Sequence, residues 1–108
     1  MSIVINIYYK GEGANAGKFA EEMTHSGIVD KIRNEEGNEG YDYYLPFEGG
    51  DTVLLIDKWK DQNALDLHHA SPIMSDIARL REKYDLHMRV ERYVSDTEVP
   101  SDDKFIRK

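Results

Sequence analysis

The sequence predicts an α+β domain whose segments run β-α-β-β-α-β, with one antiparallel four-stranded sheet and helices on one of its faces. Three observations predict it. Residues 2–10 (SIVINIYYK) and 86–95 alternate with a period of two and are rich in β-branched and aromatic side chains. Residues 40–47 and 52–59 form two more strands, joined by Glu48-Gly49-Gly50-Asp51 as a hairpin turn. Between these strands the apolar residues fall at helical spacing.

In order, the first strand places Ile3, Ile5, Ile7 and Tyr9 on one face and Val4, Asn6 and Tyr8 on the other. Both sets are mostly apolar, so both faces require cover. After the break at Gly11-Glu12-Gly13, Ala16, Phe19, Ala20 and Met23 mark a short amphipathic helix. Ile28, Val29 and Ile32 continue it as a second piece, which ends in the polar segment 34–40. The second strand alternates Tyr41, Tyr43, Leu45 and Phe47 against Asp42, Tyr44 and Pro46, and Pro46 must end it or lie at an edge. The third closes on Trp59, and Asp61 offers a carboxylate to a helix carrying Ala64, Leu65 and His68 on one face. Ser71-Pro72 restarts the helix with a hydroxyl cap and a ring already near helical φ. Ile73, Ile77, Leu80 and Tyr84 form its apolar stripe. The last strand alternates Leu86, Met88, Val90 and Val94 against His87, Arg89, Glu91 and Tyr93. Residues 1–95 thus make one domain, and 96–108 read as a polar tail in which Phe105 and Ile106 could dock on a neighbour.

This order is the split-βαβ, or ferredoxin-like, arrangement. With helices on one face, the other remains apolar through Ile3, Ile5 and Ile7, which predicts a symmetric homodimer with its sheets face to face.

Composition removes several classes of function. Fourteen Lys and Arg against 21 Asp and Glu give a net charge of −7 with no basic stripe, unlike a nucleic-acid or anionic-membrane binder. There are no cysteines, hence no disulfides and no thiolate chemistry. No apolar run has the length of a transmembrane helix, and the start lacks signal-peptide architecture, so a cytoplasmic location is expected. His25, His68, His69 and His87 show no metal-ligand spacing. The glycines of residues 11–17 lack a phosphate-loop register.

Residues 59–72, WKDQNALDLHHASP, resemble the signature of antibiotic-biosynthesis monooxygenase domains: Trp, a short polar link, Ala-Leu, then His, then Ser-Pro. Glu36-Gly37 followed by Tyr41 resembles the Glu-Pro-Gly…Tyr lead-in to the family's second strand, with Glu36 in place of the Pro. The resemblance spans about residues 2–95. It implies a dimeric α/β barrel and a family that includes cofactor-free quinol or anthrone oxygenases, haem-degrading enzymes and an isomerase. Two departures matter. Ile73 stands where many members carry a second His, and Asp57 where they commonly place Glu. Residues 73–84 contain no His to serve as a haem ligand, which disfavours haem breakdown even though Asn6 sits where that branch uses an Asn.

His68 is the candidate base, able to take a proton from a phenolic substrate near neutral pH; a packed helix-end imidazole is its alternative role. His69, about 100° round the helix, ranks far behind. Asn6 is a candidate amide donor to an enolate or phenolate oxygen, or else a bonded amide within the sheet. Trp59, Tyr8 and Tyr43 are candidate aromatic walls, with packing the competing role. Together they suit a cofactor-independent monooxygenase, which takes a small electron-rich aromatic and molecular oxygen and needs neither cofactor nor metal. A binding or stress-response module without catalysis, or an isomerase using His68, are the alternatives.

Overall fold

A computed structural model gives the structure of the chain and describes residues 1–96 and 100–108. The elements are β1 (Ile3–Lys10), α1 (Asn15–His25), α2 (Ile28–Arg33), β2 (Asn38–Tyr44), β3 (Thr52–Trp59), α3 (Gln62–His69), α4 (Ile73–Lys83) and β4 (His87–Val94). The strands form one antiparallel sheet in the order β2-β3-β1-β4, the ferredoxin-like arrangement that the sequence predicts.

Local chemistry sets the boundaries. β1, the most β-branched segment, is central: Ile3 pairs with Trp59 on one side and Val94 on the other, and the ladder runs unbroken to Lys10. β2 stops at Tyr44, two residues before Pro46 and its missing donor. Asp61 caps α3 by accepting from the Ala64 amide at 2.9 Å. Ser71 Oγ accepts from the Ile73 amide at 3.3 Å, and Pro72, at φ −57°, stands at the N-cap of α4 rather than as its first residue.

One expectation is reversed. Ile3, Ile7 and Tyr9 do not form an uncovered face; they are buried beneath the helices, and Ile5 packs against the same core. The core joins them to Leu55 and Trp59 of β3, Tyr41 of β2, Phe19 and Met23 of α1, Ile32 of α2, and Ile77 and Leu80 of α4. The open face instead carries Val4, Asn6 and Tyr8 in register with Leu54, Ile56 and Lys58 of β3 and with Arg89, Glu91 and Tyr93 of β4. Both rows of β1 are apolar enough to be core, so alternation separates them without saying which row meets the helices.

The helical layer is narrower than the sheet. No residue of β4 is buried, and Met88, Val90 and Val94 stay 44–53% exposed although they share the face that the helices cover elsewhere. A gap therefore runs between β4 and helices α3 and α4. Among the described residues, no helix is long and apolar enough to cross a membrane. The expected tail from residue 96 includes residues 97–99, which lie outside the described residues. Its described part forms a 3-10 helix over Pro100–Phe105, with Phe105 and Ile106 exposed.

Candidate active site

The site begins with a short loop pinned to a helix. Between α2 and β2, Gly37 takes a left-handed φ of +83° and lies so close to α3 that an added Cβ would stand 2.4 Å from the Ala64 Cβ. Its carbonyl accepts from the Lys60 amide at 2.8 Å. The loop is thus held against the start of α3, which brings Glu35 beside a histidine 33 positions further on. His68 Nδ1 donates to Glu35 Oε2 over 2.6 Å, a charge-assisted geometry that leaves Nε2 as the basic nitrogen.

The imidazole is fixed on its other sides as well. It is 4% exposed and stacks on the Trp59 indole, with ring centroids 4.6 Å apart and planes 26° apart. Burial holds its pKa below the ordinary histidine value, and the Glu35 carboxylate only partly opposes this. His68 is therefore chiefly neutral at pH 7, the state a base requires.

The gap beside β4 is a cleft of about 340 Å³. Its sheet side is formed by Ile5, Ile7 and Asp57, its helix side by His68 and Arg81, and its outer edge by Val90 and Arg92. Asp57 is buried and accepts a hydrogen bond from the Trp59 indole N–H. Desolvation pushes its carboxyl up to about 7, further than the Trp59 bond and the Arg81 charge pull it down, while Glu35 adds to the rise. Arg81 donates through Nε and Nη2 to the Tyr9 hydroxyl at 3.1 and 2.8 Å. The cleft is thus an apolar slot with two groups, His68 and Asp57, poised to exchange protons near neutral pH. Among the described residues, no three His, Asp or Glu side chains converge as a metal site.

The expected residues do not all meet here. His68 lines the cleft, and His69, largely exposed, lies at its edge with its ring 5.7 Å from that of His68. Trp59 is no wall: it is fully buried and backs the His68 ring instead. Asn6 and Tyr8 lie on the opposite face of the sheet, because Ile5 and Ile7 between them line the cleft. Neither can reach a substrate held beside His68 of the same chain. Tyr43 borders a separate groove with His25 and Leu45, whereas Tyr41 reaches the cleft.

Sequence pattern alone does not mark Glu35, Asp57, Arg81 or Arg92 as site residues. A signal existed for the first. If Glu36 replaces the Pro of the Glu-Pro-Gly pattern, the preceding residue, Glu35, occupies the place of its Glu. Arg92 also left a trace, as a cation within the otherwise apolar row Met88, Val90 and Val94.

Comparison with known proteins agrees with this architecture. The Bacillus subtilis protein YcnE, provisionally named a monooxygenase, is 31% identical over 67 residues, covering 62% of this chain and 68% of that one. Among solved structures, a Methanosarcina mazei protein superposes with a TM-score of 0.74 at 22% identity, over 89% of this chain and 94% of the other. SnoaB of Streptomyces nogalater, described as a cofactor-independent oxygenase, superposes with a TM-score of 0.73 at 13% identity, over 92% and 97%. Residues 2–80 match the family model for antibiotic biosynthesis monooxygenase, and the chain belongs to that family.

Proposed function

We propose that the protein is a cofactor-independent monooxygenase acting on a small, electron-rich aromatic of the quinol or anthrone kind. The observation that carries the reading is the buried His68, oriented by Glu35 and facing an apolar cleft. Such an imidazole can deprotonate an acidic phenol or an activated CH₂, and the resulting anion is itself the reductant for oxygen. For an anthrone the balance is complete. The CH₂ carbon forms a bond to one atom of O₂ and loses both hydrogens. The O–O bond breaks, one oxygen stays as the new carbonyl and the other leaves as water, and the substrate supplies all four electrons. The protein's own tasks are to hold the flat ring against Ile5 and Ile7, exclude water and accept a proton at His68 Nε2. Asp57, half-protonated near pH 7, stands in the same cleft to take or return a second proton. The family membership and the likeness to SnoaB support the reaction class.

The open face of the sheet fits a second copy of the chain. Val4, Leu54, Ile56 and Tyr8 stand there half-buried, and a partner sheet is the cover that we propose.

Oxygen uptake tests the function. The purified chain should consume one O₂ per anthrone, and His68→Ala should slow uptake by about 100-fold or more. No uptake by the wild type across a panel of anthrones and quinols, or equal uptake by His68→Ala, would rule the proposal out. Turnover of a panel member without oxygen uptake would assign His68 to isomerisation.

A further inference from the structure

The arginines of the chain are not used alike. Arg33, Arg79 and Arg89 each meet a carboxylate, on Asp42 at 3.0 Å, Asp76 at 3.7 Å and Glu91 at 2.9 Å. Apart from Arg107 near the chain end, the two that do not are Arg81 and Arg92: among the described residues, Arg81 bonds the neutral Tyr9 hydroxyl and Arg92 the neutral Gln62 carboxamide. In a chain with 21 acidic residues against 14 basic ones, carboxylates for them are plentiful. These two guanidiniums line the same cleft.

Their placement gives the cleft a direction. Asp57 of β3 and Arg92 of β4 both stand opposite Ile5 of β1, so the three form one row across the sheet. The outer two are separated by two strand spacings, about 10 Å, with an apolar side chain between them. Glu35 and Asp57 lie at the His68 end and repel an anion there. The charge of Arg81 is partly spent on Asp57, whose carboxyl it draws down. Arg92 at the outer edge is held across the mouth by Gln62 at the start of α3, a neutral acceptor that an incoming carboxylate can replace with a charge-assisted, two-pronged bond.

We propose that the cleft selects a flat aromatic acid, with its carboxylate on Arg92 and its oxidisable or acidic group at the opposite end beside His68. The proposal deepens the oxygenase reading and rests on it only for what happens at the His68 end.

Binding measured without oxygen separates the two. The probes are 6-hydroxy-2-naphthoate, whose hydroxyl and carboxylate stand at opposite ends of a fused ring, and its uncharged methyl ester. Each is titrated against the whole chain, with the fluorescence of Trp59, the one tryptophan, as the signal. The acid should bind the wild type about tenfold more tightly than the ester. Arg92→Leu should bring the two within about twofold by weakening the acid alone, and Arg92→Lys should keep part of the preference. An unchanged ester affinity in Arg92→Leu shows that the exposed substitution has left the cleft folded. Equal binding of acid and ester by the wild type, binding of neither, or a preference that survives Arg92→Leu would overturn the assignment. Because no turnover is involved, a protein that prefers the acid yet consumes no oxygen would lose the oxygenase reading and keep this one.

Discussion

On the helix-covered face of the sheet, β1 presents Ile3, Ile5, Ile7 and Tyr9; one residue along, on the open face, it presents Val4, Asn6 and Tyr8. The two rows are similarly apolar, but their polar groups are treated differently. Around the cleft four polar side chains are paired: His68 with Glu35, Asp57 with Trp59, Arg81 with Tyr9 and Arg92 with Gln62. On the open face Arg89 pairs with Glu91, but the Asn6 Oδ1 is buried with no hydrogen-bond partner among the described residues, as is the Tyr43 hydroxyl of the covered face outside the cleft. A buried oxygen left so costs about 1–3 kcal/mol, which a donor from a covering partner can relieve. The contrast is the ground on which we propose chemistry for the covered face and association for the open one.

The largest expected effect comes from exchanging residues across that divide. His68→Ala should lower the oxidation rate by about 100-fold or more, whereas Asn6→Ala should stay within about threefold when both are assayed on an anthrone. A loss in Asn6→Ala matching that in His68→Ala would show that the open face takes part in the chemistry.

Next comes the stability conferred by the buried acid. Asp57 has a folded pKa of about 7, above its unfolded value near 4, so the native state holds an extra proton between those limits. Stability from this group is fully present below the unfolded pKa and falls by about 1.4 kcal/mol per pH unit as pH rises towards 7. Asp57→Asn cannot lose that proton. The difference in unfolding free energy between variant and wild type should therefore move in the variant's favour from pH 4 to 7, as denaturant titrations at each pH will read. A difference that stays constant with pH would mean that the carboxyl is not desolvated.

A smaller change is expected from Glu35→Gln, about tenfold in rate, because the amide still bonds the ring but no longer stabilises its charge. Glu35 raises the pKa of His68, so its removal should shift the acid limb of the rate profile to lower pH. A shift to higher pH would contradict the pairing. The mildest effect on the cleft should come from Ile56→Asp, which places a charge on the open face. It should weaken self-association in sedimentation while anaerobic binding of 2-naphthol changes by less than about threefold, and a variant that associates like the wild type would remove the open face as the contact.

Much of this comparison was legible in the sequence, and its limits are physical. Strand and helix periods placed every regular element of residues 1–95, and Pro46, Asp61 and Ser71-Pro72 marked boundaries that hold in the structure. Which row of β1 meets the helices was not legible, because Ile3, Ile5 and Ile7 compete with Val4 and Tyr8 on nearly equal terms. That ambiguity carried Asn6 and Tyr8 into the expected site. Trp59 stays open between its two roles for a related reason: a strand-end indole can wall a pocket or back the residue that does, and only packing decides. Glu35 belongs to a loop without periodicity, and it reaches His68 only because Gly37 lets that loop approach Ala64. Arg92 interrupts an apolar row, and its role depends on a helical layer that stops short of β4.

The most direct test of the central claim, that substrate is held on the helix-covered face, uses methyl groups already present on both sides. With Ile and Val methyls labelled, 2-naphthol titrated without oxygen should give intermolecular NOEs to Ile5 and Ile7 and none to Val4 or Ile56. Contacts to Val4 and Ile56, with Ile5 and Ile7 silent, would contradict the account.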